Sequence, residues 1–125
     1  MTVDEYALSP IQEGMLFHHL ARDIPGVDIE QIVIGYDEVL DTGLLERAWR
    51  LAVERHPALR TSFEWKQHAF PVQQVHDRVD LRLEVRAGAD NEDEFWEFLA
   101  RDRALGFDLA LAPLMRLTLF EYGQH

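Results

Sequence analysis

The residues best suited to acid–base work lie close together near the amino terminus, in the run His18-His19-Leu20-Ala21-Arg22-Asp23. An imidazole that titrates near neutrality, with a carboxylate in reach, is the equipment of a general base in acyl transfer. The local pattern argues against that use. Ser9-Pro10-Ile11-Gln12 starts a helix that carries both histidines. Neighbouring helical positions project roughly 100° apart, so His18 and His19 do not share one task. No oxyanion donor or acyl-binding motif accompanies them. A metal pair on a helix needs ligands three or four residues apart, which these are not. The run His18, His19, Asp23 therefore reads as a decoy, and a small acyltransferase using His19 is a minor alternative.

Other candidates are weaker. Arg60 follows a proline-terminated helix and opens a strand, so its plain reading is a solvated cation beside a carboxylate. His56, His68 and His76 have no second ligand or nucleophile at a telling distance and read as surface or strand-edge residues. Asp90 to Glu94 lacks the alternating oxygens and the glycine of a calcium loop and is explained by helix capping. There is no cysteine, hence no disulfide, thiolate nucleophile or cysteine metal site. No glycine-rich phosphate loop occurs.

The elements that must position these residues follow from periodicity. Ser9 is a cap, Pro10 suits the first helical position, and Gln12 completes a capping box. Ile11, Met15, Leu16 and Leu20 make an apolar stripe that Pro25-Gly26 ends. Residues 27–39, rich in Ile29, Ile32, Val33 and Ile34, predict a strand. Asp41 caps a second helix whose apolar positions are Leu44, Leu45, Ala48, Trp49, Ala52 and Val53. His56-Pro57 closes it, because a residue before proline is steered out of the helical region. Short strands are predicted over 59–65, 72–76 and 81–85, the last alternating Leu81, Leu83, Val85 with charged neighbours. Asn91 starts a third helix, with Phe95, Trp96, Phe98 and Leu99 assigned to the core. A final strand is predicted over 114–120, and Tyr122-Gly123 begins a turn. This α-β-α-β-β-β-α-β order argues for one α+β unit, amphipathic helices packed on a mixed β-sheet.

Composition narrows the functions. Of 125 residues, 47% are hydrophobic, which suits a packed core rather than disorder. With 23 acids against 12 bases the net charge is −11, which repels nucleic acid and anionic membranes. No apolar run is long enough to span a bilayer, and the amino terminus lacks a signal-peptide pattern, so a cytoplasmic location is expected.

Three stretches together resemble the condensation domains of nonribosomal peptide synthetases. Leu8-Ser9-Pro10-Ile11-Gln12-Glu13-Gly14-Met15-Leu16-Phe17-His18 is similar to that family's opening SPxQ helix. Arg55-His56-Pro57-Ala58-Leu59-Arg60-Thr61-Ser62-Phe63 resembles its RHxxLRTxF segment, with Pro57 where the family often has Glu. Phe107-Asp108-Leu109, followed by Pro113-Leu114-Met115-Arg116, resembles its FDLxxxPLxR segment. All three stand in order and near the expected separations. The opening variant looks more like members that join two L-residues than like cyclising or epimerising relatives.

The resemblance implies the N-terminal half of a chloramphenicol-acetyltransferase-like fold, with 1–125 as a single partial domain. It implies amide formation between thioesters carried on the phosphopantetheine arms of carrier proteins, in antibiotic-type secondary metabolism, with no cofactor bound directly. The family's His-His-x-x-x-Asp-Gly signature would lie beyond His125. The run from His18 to Asp23 matches its first six positions, but Ile24 replaces the glycine and the run lies on a helix rather than a loop. The resemblance further implies that Arg60 supports the active site by holding the signature Asp. The chain alone is expected to be inactive. Its expected partners are the rest of the domain, carrier proteins and a second copy through an open sheet edge; a non-catalytic docking module is the alternative.

Overall fold

The computed structural model describes residues 2–21, 26–66, 69–88 and 92–122. Asp23, Pro25, His68, Asn91 and Gly123 lie outside the described residues, and with them parts of the expected decoy run, helix boundaries and final turn.

The chain begins with strand β1 (Thr2–Ala7) and helix α1 (Pro10–Ala21). Helix α2 (Thr42–Arg55) runs into a 3-10 turn (Pro57–Arg60) and strand β2 (Thr61–Glu64). Strands β3 (Val72–His76) and β4 (Leu83–Ala87), helix α3 (Glu92–Leu105) and strand β5 (Leu117–Glu121) complete the order. The strands form two sheets. One is antiparallel in the order β1-β3-β2, and the other is the parallel pair β4–β5.

The helix starts follow from their caps. Ser9 Oγ accepts from Gln12 N at 3.2 Å while Gln12 Oε1 accepts from Ser9 N at 2.8 Å, a reciprocal box that satisfies two otherwise orphaned amides. Asp41 Oδ1 accepts from Leu44 N at 3.0 Å and opens α2. Helix α3 ends on Gly106, whose φ of 62° is the left-handed conformation that terminates helices and disfavours a Cβ.

Several expectations need correction. Residues 27–39 form no ladder: Ile32, Val33 and Ile34 are 84%, 55% and 62% exposed, and no described strand lies beside them. β-branched residues favour a pleated surface but do not supply its partner. Strand β1 is unexpected, because Asp4 and Glu5 make it polar; it is an edge strand with every residue exposed. The 59–65 strand begins only at Thr61, because Pro57 first winds a 3-10 turn. The strand expected over 81–85 lies at Leu83–Ala87. Its alternation fades, from Leu81 at 4% exposure to Val85 at 45%. The last strand begins at Leu117 rather than Leu114. Trp96 is 60% exposed and is not core, and Phe95, Phe98 and Leu99 are only half-buried, so α3 supplies no fully buried residue. Trp96 neighbours Phe95 on α3, and adjacent helical residues cannot both face one sheet.

The buried apolar residues are few: Leu8, Leu16, Ile29, Val53, Val75 and Leu81. Ile11, Met15, Phe17 and Leu20 leave much of α1's apolar surface in solvent. At about 100° per residue Ile11 and Met15 share one side of α1 and Phe17 and Leu20 the other, so the helix exposes apolar side chains on two sides.

Candidate functional site

Pro57 creates the chemistry around Arg60. A proline has no amide hydrogen, so Val53 O, which would normally accept from residue 57, is left without its helical donor. The last helical hydrogen bond of α2 is His56 N to Ala52 O at 3.0 Å. Arg60 fills the gap. Its Nε donates to Val53 O at 3.0 Å and an Nη to Glu54 O at 3.4 Å. Its other Nη donates to His76 O at 2.5 Å, at the end of β3. A cation at a helix C-terminus also meets the negative end of the helix dipole. One half-buried side chain thus joins α2, the 3-10 turn and the central strand.

Beside it, Ser62 Oγ and His76 Nε2 share a hydrogen bond of 2.6 Å. Ser62 is 1% exposed, so no substrate carbonyl reaches its hydroxyl, and the pair ties β2 to β3. His76 is therefore not an edge residue: β3 is central, flanked by β1 and β2. His56 is the exposed cap that ends α2.

His18 and His19 both lie on α1. The His18 ring meets Phe17 edge-on, 5.8 Å between centroids. His19 Nδ1–H donates to Asp28 Oδ2 at 2.5 Å, with the two side chains only 13% and 11% exposed. Asp28 thus holds the His19 ring in place, a partner the linear run does not reveal.

The other two family-like stretches also make joints. Gln12 Nε2 donates to Gln73 Oε1 at 3.2 Å, and Gln73 Nε2 donates to Gln12 Oε1 and to Ala7 O, both at 3.0 Å. That locks α1 to β1 and β3. Arg116 Nε donates to Asp102 Oδ1 at 2.9 Å, and its Nη atoms donate to Gly106 O at 2.5 Å and Asp102 O at 2.8 Å. Its guanidinium sits 4.1 Å from the Phe107 ring centroid. Phe63 N donates to Leu109 O at 2.7 Å, connecting this loop to β2. Sequence reasoning missed Gln73 and Asp102, whose partners lie far along the chain. The three stretches are a scaffold. Among the described residues no cluster of His, Asp and Glu could hold a metal ion. Nor is any described helix long and apolar enough to cross a membrane.

A family model described as the condensation domain matches residues 2–125. One of the linear gramicidin synthase proteins of Brevibacillus parabrevis is 42% identical over 119 residues, covering 91% of this chain and 2% of that protein. Bacitracin synthase 1 of Bacillus licheniformis is 36% identical over 124 residues, covering 93% and 2%. Among solved structures, the epimerization domain from the third module of tyrocidine synthetase B superposes with a TM-score of 0.76 at 22% identity. The match covers 94% of this chain and 27% of that one. The condensation domain of the monacolin K polyketide synthase gives 0.74 at 19% identity, covering 98% and 28%. The chain therefore spans about 2% of these two synthases and just over a quarter of the two domains it superposes on.

Proposed function

From the premise that the chain belongs to the condensation-domain family of nonribosomal peptide synthetases, we propose that it is the N-terminal scaffold half of an amide-forming catalyst. In the complete domain the amine of one carrier-bound aminoacyl thioester attacks the carbonyl of another. The new C–N bond forms, the C–S bond breaks, and the donor carrier leaves as a thiol. Both reactants ride on phosphopantetheine arms of carrier proteins, which are the partners of the parent system. The family match across residues 2–125 carries this reading.

Within it, Arg60 is a positioning residue. A guanidinium has five N–H donors, and three are spent on carbonyls. The remaining two, one on each Nη, suit a carboxylate brought by the rest of the domain. The exposed apolar residues of α1 and of Ile32, Val33, Ile34 and Tyr36 support covering by further protein, and self-association when the chain stands alone.

The test is a chimera. This chain replaces the corresponding segment of a condensation domain in the linear gramicidin synthase, and dipeptide formation is measured from two loaded carriers. The expected result is amide product from the chimera and none from the isolated chain. Product from the isolated chain, or a folded chimera without product, overturns the proposal.

A further inference from the structure

Of the strands that bound the two sheets, β1, β2 and β4 have guarded edges. β1 carries Asp4 and Glu5 and loses register between Thr2 and Asp4. Charge and irregularity both discourage a further strand. β2 is covered where Phe63 N donates to Leu109 O at 2.7 Å. β4 begins against α2, where Glu46 Oε2 accepts from Leu83 N at 3.1 Å. The edge of β5 is different. In a parallel pair, alternate residues turn their main-chain groups to one neighbour and the residues between turn theirs to the other side. Gly88 N donates to Glu121 O at 2.6 Å. Leu117, Leu119 and Glu121 therefore face β4, and the N–H and C=O groups of Thr118 and Phe120 point away from it. No described residue bonds to these outward groups. The sequence Leu117–Glu121 has a single charge and neither proline nor glycine, a composition suited to strand pairing.

We propose that β5 pairs antiparallel with β5 of a second copy, about a two-fold axis at Leu119. Each Thr118 then exchanges both main-chain hydrogen bonds with Phe120 of the other copy, and Leu119 lies opposite itself. The contact closes on itself, because both copies use the same edge. The strand's charge permits this register. Glu121 falls opposite Leu117, and the two Glu121 side chains stand roughly 13 Å apart along the ladder at about 3.3 Å per residue. That exceeds the screening length of about 8 Å at physiological salt, so like charges are not set face to face. The product is a continuous sheet in the order β4-β5-β5-β4. Phe120 meets Phe95 and Phe98, so both α3 helices cover the same face of that sheet. The proposal deepens the self-association stated above and rests on that reading for its occupant, a second copy.

The chain has no cysteine, so one introduced thiol reports on one position. The test uses the full chain carrying Ile32→Lys, which removes association through the exposed 32–36 segment. In it, Leu119→Cys is expected to form an intermolecular disulfide under mild oxidation. Directly opposed residues of this kind place their Cα atoms about 4.5 Å apart, within disulfide reach. Glu121→Cys is expected to stay reduced. Thr118→Pro removes an outward N–H and leaves the bonds to β4 intact. It is expected to weaken dimerisation in sedimentation equilibrium by at least about tenfold while keeping the unfolding transition. Amide exchange at Thr118 and Phe120 is expected to slow as concentration rises. Equal linking of the two cysteine variants, a Leu119→Cys that stays reduced, or unchanged dimerisation in Thr118→Pro overturns the proposal. So does protection of those amides in the monomer, since another part of the same chain then covers the edge. Loss of all association in Ile32→Lys overturns the strand pairing and leaves the apolar contact standing.

Discussion

Replacing Arg60 by alanine tests the central joint. The substitution removes two good charge-assisted hydrogen bonds, to Val53 O and His76 O, and a longer one to Glu54 O. Hydrogen bonds from a charged donor contribute about 1.5–3 kcal/mol each. Water reaches this half-buried position and recovers part of the loss. The expected cost is about 3 kcal/mol, a large share of the stability typical of a domain this size. Arg60→Lys keeps the charge but reaches fewer of the carbonyls at once, so about half that cost is expected. The decisive measurement is a double-mutant cycle with Pro57→Ala. Without proline, His56 is free to enter the helical region and residue 57 regains an amide for Val53 O. Arg60→Ala is then expected to cost about 1 kcal/mol less in the Pro57→Ala background than in the original chain. Urea unfolding of the four proteins supplies the numbers. Additivity within about 0.5 kcal/mol would refute the argument that the arginine compensates for the proline.

Gln12→Ala breaks both the capping box and the amide pair with Gln73 and is expected to cost about 2 kcal/mol in urea unfolding; Gln12→Glu, which keeps the capping oxygen, is expected to cost less. Arg116→Lys gives up the fork to Asp102 and Gly106 and the flat contact with Phe107, for an expected loss of about 2 kcal/mol by the same assay. Gly106→Ala places a Cβ in a left-handed residue and is expected to lower stability by about 1 kcal/mol. Ile32→Lys, at a residue 84% exposed, is expected to leave the unfolding midpoint unchanged while shifting sedimentation of the isolated chain toward monomer.

The features legible in the sequence are those whose partners lie within a few residues. Ser9 with Gln12 and Asp41 with Leu44 are local arrangements, and both form as read. The gap left by Pro57 is equally local, but reading Arg60 as a solvated cation beside a carboxylate overlooks it: the guanidinium instead donates to three main-chain carbonyls, Val53 O among them. Long-range pairing is not legible. Nothing near Thr2–Ala7 announces that these acidic residues will pair with β3, and nothing within 27–39 says which strand would lie beside it. His76 is misplaced for the same reason, since an edge becomes a centre only when a distant strand arrives. Trp96 is a different kind of error. Helical spacing alone separates it from Phe95, and that signal is present in the sequence.

The pairing of β1 with β3 also sets an order of events during synthesis. Thr2 meets His76, so of the two strands the earlier to leave the ribosome waits for a partner roughly seventy residues behind it. At about 5–20 residues per second, that delay lasts several seconds. Strands β2 and β3, separated by only a short loop, can close as a hairpin first and offer β3's free edge as the template. Until then Glu5 and Tyr6 have no ladder to join, and this stretch of the nascent chain is exposed to chaperones and to other chains.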